Sequence, residues 1–245
     1  MKRFVTLSAV KETSWLCAVC GEENRDNFCA NCGTAKPEEY KVGNTMTFGK
    51  YTQGENRELA PVEWEALDVQ NGEVLFISKY GLDVKPYNKE AVGVTWETCT
   101  LRKWLNADFL NAVFSVEEQQ RIVTTTVDNS KAQGYSNWNT NGGNNTQDKI
   151  FLLSYAEANK YFGVTWNSTD NRKLRVQPTA YAIRIGALTK PSFKTEAGEA
   201  AGLWWLRSPG LSQDTSARVG FGGALRCSIV NYGDVCVRPA FWMKL

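Results

Sequence analysis

The stretch that decides the fold is residues 203–245, LWWLRSPGLSQDTSARVGFGGALRCSIVNYGDVCVRPAFWMKL. It carries an apolar run at each end, LWWL at 203–206 and VRPAFW at 237–242. Aromatic and branched residues are favoured in buried strands. We therefore expect two core strands that enclose a more variable segment, with the rest of the domain packed around them.

The enclosed segment, 211–236, has an unusual composition. Gln213 is its only member of the set Lys, Glu, Gln, Met and Trp, although these five types account for 53 of the 245 residues. By simple proportion about six would be expected in a segment of this length. Small and β-branched residues also fill loops and short strands of any β-rich protein. Composition alone therefore leaves both interpretations open.

The order of residues around this segment resembles that of the variable proteins of diversity-generating retroelements. The resemblance lies in WWLRSPG at 204–210, in the pattern of Val219, Gly223 and Leu225, in Val230, and in VRPAFW at 237–242. In that family a reverse transcriptase randomises the adenines of AAY asparagine codons, which then cannot become codons for Lys, Glu, Gln, Met or Trp. The resemblance implies a C-type lectin fold of the formylglycine-generating-enzyme type.

The same resemblance implies a non-catalytic ligand-binding protein that recognises protein targets through randomised side chains held on an invariant scaffold. The predicted diversified, ligand-facing positions are Ser212, Asp214, Thr215, Ser216, Arg218, Gly220, Phe221, Ala224, Arg226, Cys227, Ser228, Ile229, Asn231, Tyr232, Asp234 and Cys236. The predicted scaffold positions are Trp204, Trp205, Arg207, Val219, Gly223, Leu225, Val230, Arg238, Pro239 and Trp242. We expect Arg207, Arg238 or both to be buried against carboxylates or backbone carbonyls.

Four cysteines near the other end of the chain have the spacing of a metal site. Cys17, Cys20, Cys29 and Cys32 form two C-x-x-C pairs, each followed by glycine. Two thiolates three residues apart in a tight turn can reach one tetrahedral ion. A pair of disulfides is the alternative, and the lack of a recognisable signal peptide favours structural Zn²⁺. The stretch is similar to the zinc ribbons of many bacterial proteins, with Trp15 and Phe28 as apolar support.

A nucleic-acid role for this ribbon is a weaker alternative. Asn24 is placed as in the RNA-binding zinc fingers of the Ran-binding type, which share W-x-C-x-x-C-x-x-x-N. The chain departs from them in the spacing to Cys29, and it lacks their basic and aromatic stacking residues beyond Arg25. The net charge of +2 adds no electrostatic argument for nucleic acid.

The sequence predicts neither a membrane span nor a cleaved leader. No run of about 18 apolar residues is present, and the first fifteen residues, MKRFVTLSAVKETSW, interrupt their apolar part with Thr6, Ser8 and Lys11. These features predict a cytoplasmic protein, with export by another route left open.

An enzymatic alternative remains. The chain has no histidine, which removes Ser-His and Cys-His nucleophilic schemes. Formylglycine-generating enzymes, whose fold type the resemblance implies, use a copper-binding cysteine pair near the C-terminal end, and Cys227 and Cys236 lie in that region. A shared fold does not transmit activity, so we expect no oxidase. An undiversified interaction module is the other alternative.

The remaining pattern predicts an α+β fold of small antiparallel sheets, two or three helices and long irregular loops, preceded by the zinc ribbon. Asn71-Gly72 predicts a hairpin, residues 98–114 an amphipathic helix with a one-residue slip at Phe109, and residues 150–153 a buried strand. Ser115 with Glu118 and Ser154 with Glu157 are capping boxes. The polar loop 128–149 is long enough to be functional, and its carboxamides with Asp128 and Asp148 leave calcium as a further alternative.

The chain therefore divides into three predicted parts. These are a zinc ribbon at 14–36, a charged linker at 37–43, and a lectin-like domain at 44–245 whose variable region spans about 211–236.

Overall fold

The computed structural model describes residues 14–17, 19–36, 38–163 and 170–245. Residues 1–13, on which the leader prediction depends, and Pro37 of the predicted linker lie outside these ranges. The chain splits into two compact units, the first within Met1–Glu39 and the second spanning Tyr40–Lys244. Throughout the described ranges, no helix combines the length and the apolar character that crossing a membrane would require.

The predicted linker is wrong in its second half, because residues 40–43 belong to the larger unit. The Tyr40 ring packs edge-on against Phe76 with centroids 5.2 Å apart. The Gly43 amide donates to the Ala66 carbonyl at 2.8 Å. These contacts attach the segment to the larger domain.

The regular elements are short. The strands are β1 Trp15–Leu16, β2 Glu23–Asn24, β3 Thr45–Thr52, β4 Leu59–Gln70, β5 Glu73–Ser78, β6 Asp83–Val84, β7 Thr125–Val127, β8 Thr146–Asp148, β9 Thr189–Lys194, β10 Ala200–Gly202, β11 Trp204–Pro209, β12 Thr215–Val219, β13 Leu225–Ile229, β14 Cys236–Val237 and β15 Ala240–Lys244. The α-helices are α1 Thr100–Trp104, α2 Leu110–Val113, α3 Val116–Arg121, α4 Tyr155–Phe162 and α5 Ala180–Arg184. The 3-10 turns are Lys131–Gln133 and Arg172–Leu174.

The small unit pairs β1 with β2 in antiparallel fashion. Trp15 is buried beside Cys17 and Cys29 and forms the core of this unit with them. The prediction that Phe28 supports this core is wrong, because its side chain is 63% exposed.

The first sheet of the larger unit has the order β15-β5-β4-β3, all antiparallel. Its hairpin turn is the predicted Asn71-Gly72, with φ of 53° and 75° at the two residues. Positive φ at both central positions is what a type I′ turn requires. The hairpin prediction is therefore confirmed, and β15 brings the C-terminal stretch into the same sheet.

The second sheet holds the segment between the two apolar runs. Its order is β13-β12-β11-β14-β6. Strand β11 lies at its centre, antiparallel to β12 and parallel to β14, with Trp204 opposite both Val219 and Cys236. The parallel β11-β14 pair departs from the predicted antiparallel pattern, because the chain returns from β13 through the 230–235 loop before entering β14.

The predicted helix at 98–114 is interrupted. A π-helical turn, Leu105–Phe109, separates α1 from α2. A π turn adds one residue to the helix, and this explains why Phe109 is one position out of the helical period yet fully buried. Both predicted capping boxes are confirmed, at Ser115 before α3 and Ser154 before α4.

One hydrophobic core joins the two sheets to the helices. Its largest fully buried side chains include Trp64, Trp96, Trp204 and Trp205. Residues 150–153 are buried as predicted but do not form a strand, since within this segment only Phe151 makes a bridge, to Ala240. The mixture of small sheets and helices agrees with the α+β class.

Candidate metal centre and ligand-binding surface

The four predicted metal-ligating cysteines converge in the small unit. The Sγ atoms of Cys17, Cys20, Cys29 and Cys32 all lie within 4.8 Å of one another. The sulfur atoms of Cys17 and Cys32 are 3.5 Å apart and those of Cys20 and Cys29 are 3.4 Å apart. Sulfur ligands about 2.3 Å from a tetrahedral ion would be spaced similarly. The cluster could therefore hold one metal ion.

The two C-x-x-C-G turns are built alike. In the first, the Gly21 amide donates to the Cys17 carbonyl at 2.8 Å. In the second, the Gly33 amide donates to the Cys29 carbonyl at 2.9 Å. Both glycines are left-handed, with φ of 75° and 74°. Only glycine adopts this conformation at low cost, so each turn closes tightly enough to direct its two thiols to one point.

A backbone amide also favours the thiolate form of one of the four cysteines. The Cys20 backbone N–H is the main cause that lowers the pKa of Cys17 to about 6. A lowered pKa favours the thiolate, which is the form that binds a metal ion.

Asn24 has a structural role in this unit. Its side-chain oxygen accepts from the Ala30 amide at 2.8 Å and its nitrogen donates to the Glu22 carbonyl at 2.8 Å. The residue is 5% exposed. Because both ends of the carboxamide are bonded within the ribbon, Asn24 does not present the free edge that base recognition needs.

The predicted variable segment forms a hairpin at one edge of the second sheet. Strand β12 pairs with the edge strand β13 in the register Thr215 with Ile229 through Val219 with Leu225. Side chains alternate between the two faces. One face carries Arg218 opposite Arg226, and the other turns Val219 and Leu225 into the core.

Eleven of the sixteen predicted ligand-facing positions are exposed or half-exposed. Exposed are Ser212, Arg226, Ile229, Asn231 and Tyr232, and half-exposed are Asp214, Thr215, Arg218, Phe221, Cys227 and Asp234.

The other five positions are buried, and their prediction as ligand-facing is wrong; these are Ser216, Gly220, Ala224, Ser228 and Cys236. The Ser216 hydroxyl donates to carbonyls of β11, which turns it inward. Gly220 and Ala224 close the β12-β13 turn through a 2.8 Å backbone bond. Ser228 is opposite Ser216, and Cys236 lies in the sheet interior.

Arg218 is at the centre of the exposed positions. Its Nε donates to the Ser228 hydroxyl at 2.5 Å. Burial lowers the pKa of its guanidinium, and the same group interacts electrostatically with Cys227, Asp234, Arg226 and Tyr232. Arg218 lies opposite Arg226 across the β12-β13 pair, and Tyr232 and Asp234 follow in the 230–235 loop.

Beneath this surface the scaffold residues are rigidly held. Trp204, Trp205, Val219, Leu225 and Val230 are all 0% exposed. A Cβ atom at Gly223 would lie 1.9 Å from the carbonyl oxygen of Asn171. No side chain fits there, which accounts for glycine at this scaffold position.

The expectation for the two flanking arginines is confirmed. Arg207 is 2% exposed and forms a two-armed ion pair with Glu157, with Nη2 2.8 Å from Oε1. Arg238 is 3% exposed and its Nε donates to the Ser78 carbonyl at 2.9 Å.

Gln213 links the variable segment to two neighbouring loops. Its amide nitrogen donates to the Val94 carbonyl at 2.8 Å and to the Asn141 carbonyl at 3.0 Å. Gln213, the only member of the set Lys, Glu, Gln, Met and Trp in this segment, is therefore a structural contact. This role was not predicted from the sequence, although the composition had already set Gln213 apart.

The oxidase alternative has no geometric support. Cys227 lies on β13 and Cys236 on β14, with β12 and β11 between them. Three strand steps of about 4.8 Å place the two strands roughly 14 Å apart. Two thiols at that separation cannot bind one copper ion. Burial also raises the pKa of Cys236 and keeps it protonated.

The calcium alternative for the polar loop also lacks a free carboxylate. Asp148 is 1% exposed and accepts from Arg102 Nε at 2.7 Å and Trp96 Nε1 at 2.9 Å. Asp128 accepts from the Ser130 amide and from the Gln133 side chain. Among the described residues, the four-cysteine cluster is the only group of three or more His, Cys, Asp or Glu side chains that could share an ion.

Comparison with known proteins gives one match. A protein-family model described as a domain of unknown function (DUF6273) matches residues 71–245. No curated protein and no solved structure matches the chain.

Proposed function

We propose that this chain, which belongs to the DUF6273 domain family, is a non-catalytic ligand-binding protein diversified by a retroelement. The family domain contains the whole 211–236 segment. Its exposed side chains recognise varied protein targets, and the fold that holds them is C-type lectin-like. A structural Zn²⁺ ion bound by the four cysteines of the first unit stabilises the ribbon.

The observation that carries the proposal is the surface around Arg218. Arginine and tyrosine contribute strongly to protein interfaces when they fill pockets. Arg218 and Arg226 lie opposite each other there, and the exposed Tyr232 is in the loop that follows β13.

The fold supports this use because the surface and the scaffold are separate. Exposed side chains lie on the edge strand β13 and in the loops that flank the hairpin, whereas Val219 and Leu225 of the same hairpin pack into the core. Surface substitutions away from packed features usually change stability by less than about 0.5 kcal/mol. Such a surface accepts many sequences without unfolding.

Sequencing of the genomic DNA beside the coding region tests the proposal. We expect a near-copy of the DNA that encodes 211–236, differing at adenines, next to a reverse transcriptase gene. The differences should fall at codons of exposed residues such as Arg226 and Tyr232 and should spare the Leu225 codon. If no near-copy exists, diversification is refuted and an undiversified interaction module remains.

Binding requires a second test. Purified natural variants that differ only at exposed positions of 211–236 should bind different members of a protein array. A matched variant with alanine at Arg218, Arg226 and Tyr232 should lose the binding of its parent while keeping its melting temperature. Identical array profiles for all variants would contradict the proposed recognition surface.

A further inference from the structure

A cavity of about 470 Å³ lies on the larger unit away from the variable segment. Its described lining comes from β4, the residues after β5, the end of α4, the 172–177 segment and residues 195–197, together with Arg238. None of these residues lies within 211–236. The volume is within the range of about 300–1,000 Å³ that small-molecule sites occupy.

Arg238 is the unusual member of this lining. Its side chain is 4% exposed, its Nε donates to the Ser78 carbonyl, and its nearest carboxylate, Glu65, is 4.0 Å away. Nη1 is buried without a hydrogen-bond partner in the described residues. Buried charges are normally paired and hydrogen-bonded. Arg238 is therefore a buried cation with incomplete compensation.

The other flanking arginine, Arg207, pairs both of its Nη atoms, although its Nε also lacks a hydrogen-bond partner in the described residues. The two Nη atoms of Arg207 donate to both oxygens of Glu157 and to the carbonyls of Leu152 and Asp128. For Arg238, the rings of Trp204 and Phe162 lie 4.9 and 5.7 Å from the guanidinium carbon and supply cation-π attraction. Ring contacts do not accept the in-plane N–H bonds of a guanidinium. The Nη1 atom of Arg238 therefore lacks a hydrogen-bond acceptor among the described residues.

A second buried arginine lines the same cavity. Arg175 is 9% exposed and donates to the Lys194 carbonyl at 2.7 Å and to Asp170 at 2.5 Å. Its Nε is buried and has no partner within the described residues.

Basic side chains outnumber acidic ones around the cavity. Glu65 and Glu196 are the acidic members of the described lining. The basic members are Lys79, Arg172, Lys173, Arg175 and Arg238. Lys79 and Arg175 are ion-paired with Glu63 and Asp170, so five cations face four anions and leave a formal excess of one positive charge. A site with this excess concentrates anions.

The cavity walls also contain aromatic rings, from Tyr80, Tyr161 and Phe162. The Tyr161 hydroxyl is already bonded to Asp68 at 3.0 Å. Its ring therefore contributes an apolar surface, because the polar end is engaged elsewhere. Flat apolar groups pack well on such rings.

We propose that this cavity binds a small organic anion whose carboxylate or phosphate group pairs with Arg238 and whose flat apolar body packs on the aromatic wall. Arg175 and the two exposed basic residues Arg172 and Lys173 strengthen the attraction. Arginine suits this role because its planar fork matches both oxyanions. The inference goes beyond the proposed function, because it concerns a different surface and a different class of ligand.

Calorimetric titration of the full chain tests the ligand chemistry. The probes are phenyl phosphate, benzoate and inorganic phosphate, with benzylamine as the cationic control. We expect phenyl phosphate, benzoate or both to bind, and benzylamine not to bind. Binding of one organic anion alone identifies its headgroup. Failure of both overturns the proposal, and equal affinity for inorganic phosphate and phenyl phosphate overturns the role of the apolar body.

Substitutions locate the site. Arg238→Met keeps an unbranched side chain between the two rings but removes the charge, and it should abolish binding. The double substitution Arg172→Gln and Lys173→Gln changes exposed residues only and should raise the dissociation constant at least about tenfold. This double variant tests the location of the site even if Arg238→Met fails to fold.

The matched control is Lys89→Gln with Lys103→Gln, which removes two exposed charges at a different cavity. It should leave the dissociation constant within about twofold, because the screened charges lie outside the site. Equal losses in both double variants would reduce the effect to general electrostatics and overturn the assignment. Unchanged binding in the double variant Arg172→Gln with Lys173→Gln would also overturn the assignment of the site.

Discussion

Arg207 and Glu157 form a two-armed ion pair that also completes a helix cap. Glu157 accepts from both Nη atoms of Arg207, while one of its oxygens accepts from the Ser154 amide at the start of α4. The same guanidinium donates to the Asp128 carbonyl at the start of the polar loop. One side chain of the WWLRSPG stretch therefore fixes both a helix and a loop.

Removing the charge of Arg207 should be costly. Arg207→Met leaves the Glu157 carboxylate one of its three hydrogen bonds, the one from the Ser154 amide. Breaking a buried pair costs about 3–5 kcal/mol of unfolding free energy. Urea unfolding measures this loss. The control Lys103→Met, at an exposed position of α1, should change the free energy by less than about 0.5 kcal/mol. Equal effects of the two substitutions would show that the pair contributes no stability.

Removal of a cysteine ligand should release metal and unfold only the small unit. Cys29→Ser should lower bound zinc to near zero, because about twenty residues cannot fold without the ion. Elemental analysis measures zinc, and proteolysis of 14–39 measures folding. The control is Cys227→Ser, a half-buried cysteine outside the cluster, which should keep zinc. Retained zinc in Cys29→Ser would exclude the four-cysteine site.

The parts predicted from sequence are those fixed by local chemistry. Asn71-Gly72, the two capping boxes and the C-x-x-C-G turns depend on few neighbouring residues, and each has the expected geometry. The π turn that ends at Phe109 appears in the sequence as a one-residue slip of the helical period. The sequence does not show its cause, which is the packing of Phe109 in the core.

Burial of individual positions depends on contacts distant in sequence and was harder to predict. The sequence predicts Ser216 to be an exposed strand residue. Its hydroxyl is instead buried and donates to backbone carbonyls of β11. The cavity at Arg238 joins segments that are more than a hundred residues apart, such as Glu65 and Arg175. No periodicity in either segment predicts that meeting.

Gln213 should anchor the variable segment. Gln213→Ala removes hydrogen bonds to Val94 and Asn141 and should cost about 1–2 kcal/mol of unfolding free energy. Hydrogen exchange should speed up in 93–95 and 141–144. As a control, Gln120→Ala at an exposed position of α3 should change neither measure appreciably. Unchanged hydrogen exchange in Gln213→Ala would show that residues 93–95 and 141–144 are stable without the Gln213 side chain.

Asp128 should make the stability of the loop depend on pH. The Ser130 amide is the main cause that lowers the pKa of the Asp128 carboxyl below its usual value. A depressed folded-state pKa gives stability that is present above the unfolded value of about 3.9 and is lost as pH falls through the folded value. Unfolding free energy measured from pH 7 to pH 2 should therefore fall less steeply in Asp128→Asn. Parallel curves for both proteins would contradict this linkage.

The separation of surface and scaffold can be tested with three displayed libraries, each randomising five positions and selected for protease resistance. The surface library changes Ser212, Arg226, Ile229, Asn231 and Tyr232, and most members should fold. The scaffold library changes Trp204, Trp205, Val219, Leu225 and Val230, and few should fold, since truncating one buried Leu alone costs about 2–5 kcal/mol.

The third library changes the five positions whose predicted exposure was wrong, which are Ser216, Gly220, Ala224, Ser228 and Cys236. Because these residues are buried, its members should survive at nearly the rate of the scaffold library. Diversification of the natural protein would then be confined to the exposed positions, since variants at the buried ones would unfold. Survival at the rate of the surface library would instead show that the hairpin tolerates change on both faces, and the division between surface and scaffold would be lost.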